Sequence, residues 1–246
     1  MITPDLALIC ISRARATQLP AMTMRLFPTA TVCVAESERD AYAKVTPHLL
    51  LHPDTVSGLG PLKQWVLANV PSRAVFVMAD DLGKCYCLTG TLARQEWDAQ
   101  VLVRLIRNTA ECAEAAGAHI FGFNQAWDVR KYSPMKPFSL VSWVGGAMGF
   151  VGGDVRYDQR LLLRADVDAC LDSLLRHRLI WQDLRFAFEQ RRWAGAGGNA
   201  RHRSAAQHVL ELALLRQKWG RHLTIRETKT AVRLILHVDR QQPALD

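Results

Sequence analysis

The chain has 246 residues, 49% of them hydrophobic and 22% charged, a composition with ample material for a folded core. No apolar run approaches the length of a membrane span, and the first residues lack the basic segment of a secretory signal peptide, so we expect a cytoplasmic protein. The formal net charge of +8 favours a polyanionic partner, such as a nucleic acid, an acidic membrane face or a nucleotide substrate.

The six cysteines fall mostly in apolar surroundings. Only Cys85 and Cys87 lie close together, and their spacing matches neither a zinc knuckle nor a redox pair. We therefore expect buried free thiols in a reducing compartment.

Apolar segments alternate with helical patterns through the first half of the chain. Strands are predicted over Leu6–Ile11, Ala30–Ala35, His48–His52, the run Ala74–Leu82, and His119–Phe123. Helices are predicted over Ala16–Leu26, Leu62–Val70 and Thr91–Ala116, with Thr91 as the N-cap of the last. Residues 83–90 are expected to form a loop or a short extended segment. This alternation is typical of an α/β sheet.

The second half mixes strands and helices less regularly and is rich in glycine. Predicted strands are Phe138–Val144, Leu179–Phe188 and Thr228–His237, with a further short strand at Gly149–Val151. Predicted helices are Leu161–Arg176 and Ser204–Gly220, and glycine-rich loops are expected over 145–153 and 194–199. We expect a single α/β domain over residues 1–246, with a Rossmann-like mixed sheet flanked by helices and with halves 1–123 and 124–246.

Charged side chains follow the first two predicted strands. Arg13 and Arg15 come after the first strand, where planar guanidinium groups suit a diphosphate. Glu36 comes after the second strand, where an acid commonly meets a ribose or a base. The alternative for this second position is a helix start, with Ser37 as N-cap and Glu38 in the first turn.

Further charged groups appear later in the chain. Asp80 and Asp81 end the fourth strand, where two acids either hold a divalent cation that accompanies a phosphate or form a solvated turn. Asp166 lies at the start of a later helix, free to act as a base or serving only as the helix N-cap. Lys63, just inside its helix, either reaches an anion or stays solvated.

Several short motifs follow one another along the chain. They are I-S-R-A-R-A at 11–16, V-A-E-S-E at 34–38, V-M-A-D-D-L at 77–82, G-G-A-M-G-F at 145–150, R-A-D-V-D-A-C-L at 164–171 and A-G-A-G-G-N-A-R-H-R at 194–203. In this order they resemble the TET/JBP-associated glycosyltransferases of tailed phages. The resemblance implies a GT-A fold. It also implies transfer of a sugar from a UDP-sugar to the hydroxyl of 5-hydroxymethylcytosine in double-stranded DNA, assisted by Mn²⁺ or Mg²⁺.

The resemblance also implies roles for individual residues. Asp166 falls at the position of the catalytic base. The residues expected to bind the nucleotide-sugar are Arg13, Arg15, Glu36, Asp80 and Asp81, and those expected to bind the metal are Asp80, Asp81 and His202. The acceptor and DNA side is expected to include Trp143, Gly145, Gly146, Arg201 and Arg203. Phe150 is expected to line a pocket for a base that leaves the stack, and basic residues of 124–137 and 185–203 are expected to contact phosphates.

Three alternatives remain open. Relatives have three consecutive acids where this chain has Ala79-Asp80-Asp81, which also fits a basic DNA-binding protein on a degenerate transferase fold. A glycosyltransferase with a non-DNA acceptor would use the same donor residues. A nucleotidyltransferase would use the acids similarly but would release pyrophosphate.

Overall fold

The computed structural model describes residues 6–89, 97–190, 197–227 and 232–238. Within them, nine strands form the main sheet: β1 (Leu6–Ile11), β2 (Thr31–Ala35), β3 (Leu49–His52), β4 (Ala74–Ala79), β5 (Leu82–Cys87), β6 (Ile120–Asn124), β7 (Phe138–Ser139), β8 (Ala147–Val151) and β9 (Trp181–Gln190). Two further strands, β10 (Leu223–Glu227) and β11 (Val232–Leu236), pair with each other in an antiparallel manner.

The α-helices of the described residues are α1 (Thr23–Leu26), α2 (Arg39–Ala43), α3 (Leu59–Asn69), α4 (Ala99–Ala115), α5 (Ala165–His177) and α6 (Ala205–Trp219). None of them combines the length and the apolar composition that crossing a membrane requires. All six cysteines are free and five are buried, as predicted.

The main sheet is mixed, with the strand order β3-β2-β1-β4-β8-β6-β9-β5 and with β7 paired to β9. Strands β1 to β4 are parallel to their neighbours in this group, whereas β8 runs antiparallel to both β4 and β6. Because β8 lies between β4 and β6, strands from the two predicted halves alternate in one sheet. The predicted α/β class, with a mixed sheet and flanking helices, is confirmed.

Hydrophobic clusters cover both faces of this sheet. Ile9 and Cys10, adjacent on β1, belong to different clusters because successive side chains of a strand point to opposite faces. One cluster contains Leu171 and Leu174 of α5, and the other contains Leu102 of α4. The carboxyl ends of β1 and β4 therefore open at one edge of a sheet that is packed on both sides.

The short helix predicted within residues 16–26 is confirmed only at the end of that range. The chain forms a 3-10 turn at Leu19–Ala21, followed by the single-turn α1. Pro20 cannot donate a backbone hydrogen bond, and it disfavours helical geometry at Leu19. Residues 12–18 are thus left as a loop at the carboxyl end of β1.

Of the two forms predicted for residues 83–90, a loop or a short extended segment, the structure has the extended one, because residues 82–87 form the strand β5, paired with β9. The predicted strand Phe138–Val144 shrinks to the two residues of β7. The strand predicted at Gly149–Val151 is confirmed as part of β8, where a Cβ on Gly149 would lie 1.9 Å from Cζ of Phe121, so only glycine lets that ring pack against the strand.

The observed ends of some helices and strands also differ from the predicted ones. The helix predicted to begin at Leu62 begins at Leu59, and the strand predicted over 228–237 is observed only as β11, with the unpredicted β10 as its partner. Helix α4 has Asp98 as its N-cap, and the side chain of Asp98 accepts a hydrogen bond from the amide of Val101 at 2.8 Å. The proposed N-cap Thr91 and the loop residues 194–196 lie outside the described residues.

Candidate active site

A cleft of about 320 Å³ lies at the carboxyl ends of β1 and β4. Such crevices are where open α/β sheets bind ligands. The predicted site residues that line it are Arg13, Arg15, Asp80, Asp81, Trp143, Gly145, Gly146, Asp166, Arg201, His202 and Arg203. Glu36 is exposed and lies outside the lining, so its nucleoside role stays a prediction without support from position.

Asp80 organises the basic loop after β1. Its Oδ1 accepts a hydrogen bond from Nη1 of Arg15 at 2.7 Å, and its Oδ2 accepts one from the hydroxyl of Ser12 at 2.7 Å. The hydroxyl of Tyr42 lies 2.7 Å from that of Ser12 and accepts a hydrogen bond from the Arg15 amide at 3.0 Å. Both carboxylate oxygens are therefore used within the protein, and Asp80 holds Arg15 in place.

Asp81 is arranged differently. Its Oδ1 is buried and has no hydrogen-bond partner among the described residues, while its Oδ2 lies 3.9 Å from Nη1 of Arg15. Burial raises the pKa of the Asp81 carboxyl, and the charge of Asp80 adds to that effect, although a hydrogen bond with Gln190 opposes it. A buried acid oxygen without a partner is a group that a cation would satisfy.

This donor set fits a divalent cation that shares its coordination with a ligand. Mg²⁺ is usually held by one or two carboxylates together with substrate phosphates, not by a cage of protein groups. Among the described residues no cluster of three or more histidine, cysteine or acidic side chains is able to hold a metal ion. Of the adjacent acids Asp80 and Asp81, Asp81 is the one with an oxygen that has no partner among the described residues and can bind a cation.

His202 lies in the same cleft but is already engaged. Its Nε2 lies 2.8 Å from Oγ of Ser57 and accepts a hydrogen bond from Nε of Arg201 at 3.2 Å. Burial lowers the pKa of the imidazole, and the charges of Arg201 and Arg13 lower it further. These contacts connect the loop before α6 to Ser57. The role of His202 as a metal ligand stays a prediction.

The described end of the second glycine-rich loop, residues 197–199, lies directly on the basic loop after β1. The amide of Gly198 donates to the carbonyl of Arg13 at 2.9 Å. Gly197 has a φ of +98°, and a Cβ there would lie 2.8 Å from Cγ of Arg15, so the close approach requires glycine. This contact brings Arg201 into the cleft, where burial and the nearby Arg13 lower the pKa of its guanidinium.

Four arginines line the cleft, Arg13, Arg15, Arg201 and Arg203, beside the two acids Asp80 and Asp81. Arg15 is paired with Asp80, and Arg13 lies 3.8 Å from Oε1 of Glu38. The acid that contacts the basic loop is thus Glu38, which also accepts the amide of Ala14 at 2.8 Å, and not the predicted Glu36. Guanidinium groups crowded together in this way favour an anionic ligand.

Asp166 lies across the cleft, at the first turn of α5. Its Oδ1 accepts hydrogen bonds from Nζ of Lys63 at 2.7 Å and from the hydroxyl of Tyr157 at 3.3 Å. Its Oδ2 receives no hydrogen bond from the described residues and would lie 3.1 Å from a Cβ placed on Gly145. One oxygen is anchored, and the other is available to a ligand.

Asp166 is not the helix N-cap, which is Arg164. The amides of Leu162, Leu163 and Arg164 donate instead to the fully buried carboxylate of Glu211, on α6, at 2.8 to 3.0 Å. Because α5 begins one residue before Asp166, this side chain lies within the first turn, where it lines the cleft.

The sequence predicts either contact with an anion or solvation for Lys63, and it does not identify the anion. The side chain is only 2% exposed and pairs with the Asp166 carboxylate. The signal lies in its spacing, since Lys63 shares the buried face of α3 with Gly60 and Val66 at intervals of three residues. A lysine at a core position requires a buried acid as its partner.

Phe150 does not line a base pocket. It is 3% exposed and packs in the core, with its ring centroid 6.1 Å from that of Tyr157. Because β8 is a central strand, its alternate side chains point into the two packed faces of the sheet.

Comparison with known proteins places the chain in a family. Residues 8–199 match the family model described as TET-Associated Glycosyltransferase. A search of curated proteins found no match.

Three solved structures match this chain at low sequence identity. They are S. aureus TarS 1-349 (9% identity, TM-score 0.47, 75% of this chain and 59% of that one), the mannosyltransferase PcManGT from Pyrobaculum calidifontis in complex with GDP-Man and Mn²⁺ (12%, 0.46, 75% and 55%), and mannosyl-3-phosphoglycerate synthase from Rubrobacter xylanophilus (13%, 0.47, 96% and 85%). The chain thus spans little more than half of the first two proteins. The family match covers most of the sequence, and the chain belongs to the TET-associated glycosyltransferase family.

Proposed function

We propose that this protein transfers a sugar from a UDP-sugar to the hydroxyl of 5-hydroxymethylcytosine in DNA, in the cytoplasm. The observation that carries the proposal is the pairing, in one cleft, of Asp81 with an unsatisfied oxygen and Asp166 with a free one. Asp81 suits a cation that accompanies the donor diphosphate, and Asp166 suits the proton of the acceptor hydroxyl. The family match supports sugar transfer, and the net charge of +8 supports a polyanionic acceptor such as DNA.

The donor side of the cleft is basic. Arg201 and Arg203, which the resemblance assigns to the acceptor side, line the same cleft as Arg13, and all three would neutralise a diphosphate beside a Mn²⁺ or Mg²⁺ ion held by Asp81. When bound, the cation would stabilise the charge that develops on the leaving UDP. Arg15 contributes through Asp80, whose two hydrogen bonds fix the shape of the loop.

The acceptor side depends on Asp166. A primary hydroxyl is a weak nucleophile at neutral pH, so a carboxylate that takes its proton in the transition state accelerates attack by about 10²–10⁴. The free Oδ2 is the oxygen for this task, because Lys63 and Tyr157 occupy Oδ1. Trp143 and Gly145 flank this oxygen and limit how a substrate approaches it.

The test is incubation with DNA that contains hydroxymethylcytosine, Mn²⁺ and a panel of UDP-sugars, followed by mass spectrometry of the released nucleosides. We expect the modified cytidine to gain the mass of one sugar. If no UDP-sugar produces a gain, the DNA acceptor is wrong. Transfer to a glycan or protein under the same conditions would then reassign the acceptor and keep the reaction class.

Asp81→Asn is expected to abolish the Mn²⁺-dependent part of UDP affinity and to leave metal-free UDP binding unchanged. Burial raises the pKa of Asp81, so the folded state disfavours its ionised form, and removing the charge should not lower the melting temperature at pH 7. For the wild type, Mn²⁺-linked binding should weaken as the pH falls through this raised pKa. Calorimetry of UDP with and without Mn²⁺ measures both effects.

The matched control for this variant is Asp172→Asn, the same chemical change at a partly buried acid that pairs with Arg176 outside the cleft. It should bind UDP and Mn²⁺ as the wild type does. If Mn²⁺ increases the UDP affinity of Asp81→Asn as much as that of the wild type, Asp81 is not the metal ligand.

Gly145→Ala is expected to lower kcat by about tenfold to a hundredfold. Its Cβ would lie 3.0 Å from Cζ3 of Trp143 and 3.1 Å from Oδ2 of Asp166, so one of the two groups must move, and small displacements of a catalytic group are costly. Steady-state kinetics measures this. Gly153→Ala is the control. Gly153 has a φ of +73°, which strains an alanine, but the added Cβ would meet no atom within 4 Å. This variant should therefore be less stable than the wild type and keep the same kcat.

A further inference from the structure

A second pocket adjoins the cleft beyond Gly145 and Gly146. It has a volume of about 200 Å³ and shares four lining residues with the cleft, the two glycines together with Gln125 and Gln190. Because Asp166 Oδ2 lies beside Gly145, a group that occupies this pocket can present a substituent to that oxygen across the glycines.

The lining of this pocket suits a flat polar ring. Phe123 and Phe188 provide apolar walls, and Gln125 and Gln190 provide amides that both donate and accept hydrogen bonds. Nε2 of Gln125 donates to the carbonyl of Phe123 at 3.2 Å, and its Oε1 receives no hydrogen bond from the described residues. Aromatic walls with amide groups are the features by which proteins read a base taken out of the stack.

An exposed aromatic pair continues from the mouth of this pocket. Trp127 lines the pocket, is 51% exposed and stacks on Tyr86 with a centroid distance of 5.7 Å and an interplanar angle of 21°. The Tyr86 hydroxyl donates to Glu189 at 3.1 Å, which fixes the inner ring. One side of the indole is thus supported, and a large part of it remains accessible.

Basic side chains lie next to this pair. Tyr86, Trp127, Arg130 and Lys131 line a shallow groove of about 550 Å³. The Arg130 side chain is 86% exposed, and Asp128 holds its guanidinium through two hydrogen bonds of 2.9 Å. Aromatic platforms beside cationic groups are how proteins bind nucleic-acid strands, with stacking and phosphate contacts combined.

We propose that the second pocket takes the hydroxymethylated pyrimidine and that the Tyr86–Trp127 pair with Arg130 and Lys131 seats the adjoining DNA strand. This proposal rests on the proposed function, because the sugar acceptor is the base that enters the pocket. It places the acceptor in the pocket that Trp127 lines, and the arginines of the donor cleft do not line that pocket.

The test measures binding of a labelled hydroxymethylcytosine duplex by fluorescence anisotropy at several salt concentrations, with no donor present. Trp127→Ala should weaken binding about tenfold, and Trp127→Phe should restore most of it, since stacking depends on a ring. Arg130→Gln should reduce the slope of log affinity against log salt by about one.

The control for Arg130 is Arg160→Gln. Arg160 makes the same local pair, with Asp158 two residues before it at 2.9 and 2.7 Å, but it lines none of the three cavities. It should bind the duplex as the wild type does. UDP affinity in the presence of Mn²⁺ should be unchanged in all four variants.

The outcomes separate this inference from the function on which it rests. Wild-type affinity in Trp127→Ala, or equal salt slopes for Arg130→Gln and Arg160→Gln, would overturn the inference even if sugar is transferred to DNA. Loss of duplex affinity in Trp127→Ala, without a mass gain on any UDP-sugar, would keep the DNA-binding site and reject the reaction. A wild-type chain that does not bind the duplex would overturn the inference.

Discussion

Asp166→Asn is expected to lower kcat by about a thousandfold while UDP affinity stays unchanged. Asparagine keeps an oxygen at Oδ1 that accepts from Lys63, so the anchoring contact survives, but the amide in place of Oδ2 cannot take a proton. Single-turnover kinetics with saturating donor, alongside UDP calorimetry, separates the chemical step from binding.

Asp168→Asn is the matched control for this prediction. Asp168 lies two residues after Asp166 on α5, where it accepts a hydrogen bond from Trp219 Nε1 at 2.8 Å and pairs with Lys218 outside the cleft. The Asp168→Asn variant should have a lower free energy of unfolding than the wild type and an unchanged kcat. If Asp166→Asn loses UDP binding together with turnover, Asp166 is structural, and if it retains turnover, another group is the base.

Lys63→Met is expected to destabilise the fold by about 3 kcal/mol and to reduce kcat with an unchanged KM for the donor. It leaves the Asp166 carboxylate buried without its cation, which is the costly way to break a buried pair. Without Lys63, Oδ1 keeps only the Tyr157 contact at 3.3 Å, and Oδ2 loses its fixed position. Denaturant unfolding and steady-state kinetics measure the two effects.

Lys63→Met combined with Asp166→Asn keeps this prediction testable if the single variant unfolds. The double variant has a neutral pair and should recover more than about 1 kcal/mol relative to Lys63→Met, as expected for two residues in contact. Activity should not return with stability. Additive losses of stability would show that Lys63 does not act through Asp166.

The part of the site that arises from neighbouring strands was predictable from the sequence. Arg13 and Asp80 follow β1 and β4, and those strands pair in parallel, so their carboxyl ends meet at one edge. The apolar runs that identify these strands are strong local signals. The α/β class follows from the same signals.

The contacts across the cleft were not predictable in this way. Lys63 and Asp166 are 103 residues apart, and their pairing depends on how α3 and α5 pack, which no local pattern records. The choice between Glu36 and Glu38 depends on the rotation of a single 3-10 turn. Ser12 and Arg15, from the loop after β1, engage both oxygens of Asp80, whereas Gln190, at the end of β9, bonds Asp81; these contacts join distant parts of the chain.

A crystal structure of the protein soaked with UDP and Mn²⁺, with anomalous data collected at the manganese edge, tests the donor site most directly. We predict an anomalous peak bound to Asp81 and to the UDP diphosphate, with Arg13 and Arg201 in contact with the phosphates and Asp80 still paired with Arg15. UDP bound outside the cleft, or bound within it with no manganese at Asp81, would contradict this assignment.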